Sequence, residues 1–190
     1  MSNDSRRFDP KKCDALLSPE RWARWNPPAL LTQAGVREGQ VALDLGCGPG
    51  FWTLPLAEIV GPSGHVIALD VNQDLLDALI ARNPPSLVRV MSGELPAIEL
   101  PDASVDFVWA AFVFHEVEEP SVLALEMHRV LRPGGRLAVL DWRPDASSDS
   151  GPPRQDRLSP EQVLVHLSWG GFLEVTNLWK DDDTYMVTAC

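Results

Sequence analysis

Val41-Ala42-Leu43-Asp44-Leu45-Gly46-Cys47-Gly48-Pro49-Gly50-Phe51-Trp52 is the stretch on which the fold of this chain turns. A short, nearly continuous apolar run leads straight into three alternate glycines, and Phe51–Val60 then carries a helical pattern. Apolar residues that do not alternate with polar ones mark a strand covered on both faces. Glycines after such a strand let the backbone turn sharply and come close to a ligand. A dinucleotide site asks for Gly-x-Gly-x-x-Gly, with pyrophosphate on the helix N-terminus. Here the spacing is Gly-x-Gly-x-Gly, and Phe51 stands where the third glycine belongs. Asp44, two residues before the first glycine, would repel a pyrophosphate and attract a ligand bearing an ammonium and a sulfonium.

Outward from this loop, strand and helix signals alternate. Gly61-Pro62-Ser63-Gly64 is a turn, and His65–Asp70 reads as a second strand. Leu75–Ala81 is helical and stops before Asn83-Pro84-Pro85, as the residue before a proline avoids helical backbone. Leu87–Met91 and Val105–Val113 read as third and fourth strands. Apolar positions 122, 123, 127, 130 and 131 form a helical stripe closed by Pro133-Gly134-Gly135, and Arg136–Trp142 is a fifth strand. Ser159-Pro160-Glu161 opens a helix with a cap, a proline at the first position and an early acid. Gly170-Gly171 ends it, and Phe172–Lys180 and Thr184–Ala189 flank an Asp181-Asp182-Asp183 turn as a terminal hairpin. The expectation is an α/β, doubly wound, mostly parallel seven-stranded sheet with a C-terminal antiparallel hairpin. Pro144–Pro153 is the one linker-like stretch and is too short to act as a domain boundary.

Composition bounds the function. The 190 residues carry 16 basic against 27 acidic side chains, a net charge of −11. A binder of duplex nucleic acid needs a basic face, so none is expected. No apolar run approaches the about 18 residues of a membrane span, and the polar N-terminus has no apolar core that would make it a signal peptide. Cys13, Cys47 and Cys190 are odd in number and far apart, which fits neither a disulfide framework nor a zinc knuckle. A cytoplasmic protein is the expectation.

Asp70 closes the second strand 20 residues past Gly50, where an acid can accept hydrogen bonds from both hydroxyls of a ribose. With the loop, this resembles the class I S-adenosylmethionine-dependent methyltransferases, whose first motif is an acid followed by Gly-x-Gly-x-Gly. Two further phrases are similar to that family: Gly93-Glu94-Leu95-Pro96 with Leu100-Pro101-Asp102-Ala103-Ser104-Val105-Asp106, and Glu126–Arg129 running to Pro133-Gly134-Gly135. The sub-group they resemble is the small enzymes related to ubiquinone and menaquinone C-methyltransferases. The likeness covers Val41 to the C-terminus. It implies a Rossmann-like methyltransferase fold that binds S-adenosylmethionine and releases S-adenosylhomocysteine. It further implies a cofactor site built from Asp44, Gly46, Cys47, Gly48, Gly50, Asp70, Val71, Ser92, Gly93 and Glu94. Where the family often has Asp-Ala, this chain has Ser92-Gly93, so adenine would rest on backbone donors and Ser92.

His115-Glu116 follows the fourth strand and Asp141 ends the fifth, on the rim nearest the transferable methyl in this family. His115, with a pKa near neutrality, is the candidate base, and His115 and Asp141 are the candidate catalytic residues for a small-molecule methyl acceptor. Phe51, Trp52, Phe112, Phe114 and Trp142 are candidate aromatic neighbours of the sulfonium. No metal site is expected: there is no His-x-x-x-His, and the acids a metal-dependent O-methyltransferase needs are out of place. Cys47 has no activating neighbour and reads as a space-filler. Residues 1–36 read as an N-terminal helical lid or substrate segment, with aromatics at 22 and 25, and 37–190 as the cofactor-binding domain. O-, N- and C-methylation, and a homodimer, stay open. A non-catalytic scaffold with this fold is the alternative, and a nicotinamide oxidoreductase is disfavoured by Phe51 and the terminal hairpin.

Overall fold

The structure is a computed structural model that describes residues 13–190. The Arg7–Pro10 portion of the expected lid lies outside the described residues. In chain order the elements are α1 (Cys13–Leu16), α2 (Pro19–Trp25), α3 (Pro27–Ala34), β1 (Val41–Leu45), α4 (Thr53–Val60), β2 (His65–Asp70), α5 (Gln73–Ala81), β3 (Val88–Ser92) and β4 (Val105–Ala111). They continue with α6 (Pro120–Val130), β5 (Leu131–Trp142), α7 (Pro160–Trp169), β6 (Thr176–Lys180) and β7 (Thr184–Ala189). One seven-stranded sheet runs β3-β2-β1-β4-β5-β7-β6. β1 pairs in parallel with β2 and β4, while β7 lies antiparallel between β5 and β6. The doubly wound sheet with its terminal hairpin is as the sequence predicts. Strand order reverses between β1 and β4, so the ligand crevice belongs beyond their C-terminal ends.

Period-two alternation assigns the faces. Ala42, Val66, Phe107, Trp109, Ala138 and Leu140 pack with Leu30, Leu31, Leu56 and Val60 of α3 and α4. Leu43, Leu45, Leu69, Val108, Ala110, Leu137 and Val139 pack with Leu123, Met127, Val163 and Leu167 of α6 and α7. Residues 25–36 share the first of these clusters with the sheet, through Trp25, Leu30, Leu31, Ala34 and Val36.

α5 starts two residues earlier than the sequence reading and β3 is shifted by one, and four further boundaries differ for local reasons. The helix after the glycine loop starts at Thr53, two residues later than expected, because Phe51 and Trp52 still belong to the turn. β4 ends at Ala111, where Phe112 takes φ 61° and swings the chain out of the sheet. β5 begins at Leu131, which pairs with Val105 before a bulge, so Pro133-Gly134-Gly135 lies inside the strand's span. β6 begins at Thr176, because Phe172 turns back to bond the Leu167 carbonyl and is buried in the α6/α7 layer. The predicted start of α7 holds: Ser159 and Gln162 form a reciprocal capping box.

Candidate active site

A cleft of about 1150 Å³ opens over the C-terminal ends of β1, β4 and β5. That exceeds the roughly 300–1,000 Å³ of a typical small-ligand pocket, which is room for two ligands side by side. Gly46, Cys47, Gly48, Asp70, Val71, His115 and Trp142 all line it, together with Leu16, Arg21, Arg24 and Trp25 of the N-terminal helices.

The three glycines of the loop do different things, although all have positive φ. A Cβ on Gly46 would lie 2.8 Å from Val113, and one on Gly50 would run into the end of Leu79. Those two let the loop pack onto the chain after β4 and onto α5. A Cβ on Gly48 would meet only Leu16, at 3.7 Å, so that position is open towards the cleft. Asp70 binds the loop from β2: Oδ2 accepts from the Gly48 N–H and Oδ1 from the Asn72 N–H, both at 2.8 Å. A carboxylate oxygen can accept more than one hydrogen bond, so supporting the loop is compatible with accepting from a ligand hydroxyl.

Asp44 does not reach the cleft itself. Alternation places it on the same face as Ala42, under the loop, where Thr53 donates to it at 2.6 Å. It is 1% exposed. Burial pushes its carboxyl up to about 7, with Asp70 adding to the rise and the Thr53 bond opposing it. Cys47 is buried and lines the cleft, and burial and the Asp44 and Asp70 charges hold its thiol well above the ordinary value. That thiol is no nucleophile. Gly93 and Glu94 line a smaller adjoining space of about 180 Å³, bounded by Gly46, Asp70, Val71 and Val113. Ser92 lines neither space: it is exposed at the C-terminal end of the edge strand β3.

His115 sits in a single 3-10 turn, Phe114–Glu116, after β4. Its Nδ1 lies 2.7 Å from Asp141 Oδ1, and both side chains are buried. Asp141 also accepts from the backbone N–H groups of His115 and Trp142, at 3.2 and 2.8 Å, so the carboxylate is fixed before it orients the ring. Burial opposes a charge on the imidazole, but the Asp141 charge and hydrogen bond outweigh it and raise the pKa above its ordinary value. His115 lines the cleft and Asp141 does not, which makes Asp141 a positioning group behind it.

The aromatic wall is Trp25, Phe51, Trp52, Phe112 and Trp142. Phe112 and Trp142 lie 5.1 Å apart between centroids, and Trp25 and Phe112 4.8 Å. Phe114 does not belong to it. The chain has crossed to the α6/α7 side by then, and Phe114 is fully buried 6.3 Å from the ring of His166. Two groups escaped sequence reading. The Pro144–Pro153 stretch continues into a strap over the cleft, with Ser150, Gly151, Pro152, Pro153 and Asp156 on the lining. The buried Arg157 holds that strap by donating to the carbonyls of Arg143, Ser150 and Pro152. The second group is Arg21, on α2. The Ser18-Pro19-Glu20 start of its helix was a readable cap, and Trp25 one turn on marks the same face. Among the described residues no group of three or more His, Cys, Asp and Glu is placed to hold a metal ion.

Comparison with known proteins decides the family. Residues 43–139 match the family model described as a methyltransferase domain. A solved SAM-dependent methyltransferase from Aquifex aeolicus superimposes with a TM-score of 0.87 at 33% identity, covering 96% of this chain and 98% of that one. The chain belongs to the class I S-adenosylmethionine-dependent methyltransferases. Demethylmenaquinone methyltransferases are similar in sequence. Those of Geobacillus sp. (strain WCH70) and Staphylococcus aureus (strain JH9) are both 31% identical, over 133 and 142 residues. These matches cover 68% and 74% of this chain but only 56% and 58% of the relatives, so the methyltransferase spans little more than half their length. The S-adenosylmethionine-dependent methyltransferase from Mesorhizobium loti shares the fold, with a TM-score of 0.71 at 20% identity. Membership of the methyltransferase family implies a site for S-adenosylmethionine. The open Gly48 backbone and the Asp70 carboxylate at the cleft edge fit it. No helix among the described residues is long and apolar enough to cross a membrane.

Proposed function

We propose that the protein methylates a small, flat ring acceptor of quinol or phenol type, whose nucleophilic site must shed a proton, and that His115 removes it. One observation carries this: a buried His–Asp pair, 2.7 Å apart, at the rim of the methyltransferase cleft. When bound, S-adenosylmethionine supplies an electrophilic methyl on a sulfonium, and S-adenosylhomocysteine is the leaving group. The chain's own residues do the rest. Asp70 and Val71 would hold the ribose end, with Gly93 and Glu94 beside the adenine. The 46–50 loop would carry the methionine end, with Asp44 beneath it as a reserve of negative charge. Asp141 holds His115 Nδ1, which leaves Nε2 to accept the acceptor's proton. Trp25, Phe112 and Trp142 would exclude water and offer the ring an aromatic wall to pack on, and alignment in a dry cleft can contribute roughly 7–11 kcal/mol. The names of the sequence relatives support a ring substrate, and residues 1–36 would act as the substrate-side lid.

The test is turnover against pH with a demethylated naphthoquinol as probe. A base must be neutral to act, so turnover should climb through the raised His115 pKa and level off above it. Asp141→Asn should shift the midpoint down. His115→Ala should flatten the profile and cost about 10²–10⁴ in turnover. Both should leave S-adenosylhomocysteine affinity within about threefold, less than 1 kcal/mol. An unchanged profile in His115→Ala refutes the base. Binding of the donor with no turnover of any ring acceptor favours a scaffold.

A further inference from the structure

Arg21 is an arginine whose side chain makes no hydrogen bond or ion pair among the described residues, although it is largely buried. Its backbone N–H is used by the Ser18 cap, and its Nε is buried without a partner. The guanidinium lies 4.4 Å from the Trp25 ring, 5.2 Å from Phe51 and 5.4 Å from Phe112. Its neighbour Arg24 shows the contrast: the Arg24 guanidinium is held by Asp181 and Asp183 at 3.0 and 3.1 Å. Three aromatic faces keep the Arg21 fork in one place without using its donors, and the residue lines the cleft. It sits between Phe51, which follows the glycine loop, and Phe112, which follows β4. That is the junction of the donor half and the acceptor half of the site.

We propose that Arg21 is a carboxylate-binding residue of the cleft, which takes a flat monoanion on its guanidinium edge while aromatic rings cover its face. The planar fork matches two carboxylate oxygens at once. A phosphate dianion fits less well, because Glu20, Asp70, Glu116 and Asp156 line the same cleft, and Arg24, the other arginine on the lining, is already paired with Asp181 and Asp183. Burial, and to a smaller extent the nearby charge of Arg24, lower the Arg21 pKa to about 10, which still leaves it charged at neutral pH. Two molecules could present the carboxylate: the methionine tail of the donor, or an acceptor that is an aromatic acid. The inference rests on the cleft being the methyltransferase site, but not on His115 being the base.

Calorimetry separates the sources without an activity assay. S-adenosylhomocysteine and its decarboxylated analogue are titrated into the wild-type protein, Arg21→Gln and Arg21→Lys, with melting temperatures as a fold control. Benzoate is then titrated into each protein saturated with S-adenosylhomocysteine. If the tail is the ligand, the wild-type protein prefers the intact compound by at least about tenfold, and Arg21→Gln erases that preference. If the acceptor is the ligand, the preference is untouched and benzoate binding falls at least about tenfold in Arg21→Gln. In either case Arg21→Lys, which keeps the charge but loses the fork, falls between. Folded variants that match wild type in every titration overturn the proposal while leaving the methyltransferase site intact. A wild-type protein that binds no S-adenosylhomocysteine overturns the site reading and this one together.

Discussion

Replacing Asp44 with asparagine should stabilise the protein above neutral pH and destabilise it in acid. The carboxyl is buried beneath the glycine loop, where it accepts a hydrogen bond from Thr53, and its pKa rises from an ordinary 3.8 to about 7. A carboxyl whose pKa is raised in the folded state favours folding while it is protonated. Its contribution is therefore greatest below 3.8 and is lost as pH climbs to about 7. At about 1.36 kcal/mol per pH unit, the loss amounts to about 4 kcal/mol by neutral pH. Asparagine never ionises, so it escapes that loss, but it brings a buried amide donor that costs about 1–3 kcal/mol if unpaired. Asp44→Asn should then be more stable than wild type at pH 8, by about 1–3 kcal/mol, and less stable at pH 4.5. Urea unfolding of the ligand-free protein at both values reads this directly. The donor's two positive charges favour ionised Asp44, so wild-type affinity for S-adenosylmethionine should climb through the same range and that of the variant should not. Stability curves that run parallel across pH would refute the argument, because they would mean that Asp44 does not titrate there.

Asp70→Ala should weaken S-adenosylhomocysteine binding at least about tenfold, since a hydrogen bond to a charged group is worth about 1.5–3 kcal/mol. It should also lower the melting temperature, because the Gly48 and Asn72 N–H groups lose their acceptor; a lower melting temperature with wild-type affinity would leave Asp70 only a loop support. Gly48→Val places a branched side chain at φ 52° and in the open region of the cleft. It should cost about 1–2 kcal/mol of stability and abolish donor binding, and calorimetry on the folded variant that finds undiminished affinity counts against the loop as the donor site.

The regions of this protein visible in its sequence are those where one local rule suffices. The strand from His65 to Asp70 and the capped helix after Ser159 match the sequence reading, because apolar runs and caps act within a few residues. The glycine loop was legible because positive φ at Gly46, Gly48 and Gly50 is a backbone demand that few other residues meet. Even the burial of Asp44 was implicit, since alternation from Ala42 sends it under the loop. The cage around Arg21 was not legible. Trp25 and Phe112 are far apart in sequence and meet only because α2 lies over the end of β4. The strap held by Arg157 failed for a related reason: proline, serine and glycine composition suggests a linker, and the three carbonyls that fix it come from its own return path.

The division of labour in the cleft follows from the end of one strand. Successive residues of β5 face opposite sides of the sheet. Asp141 therefore points into the α6/α7 side, where His115 has arrived after the turn at Phe112. Trp142 points to the other side, where it meets Phe112 and Trp25. A polar pair and an aromatic wall are thus supplied by adjacent residues, one on each side of the crevice. Phe112 is what allows both, because its left-handed backbone, held by an N–H bond of 2.7 Å to the Leu140 carbonyl, carries the chain from one face to the other. A non-glycine residue in that conformation is uncommon, and here it stands between the His115–Asp141 pair and the aromatic wall.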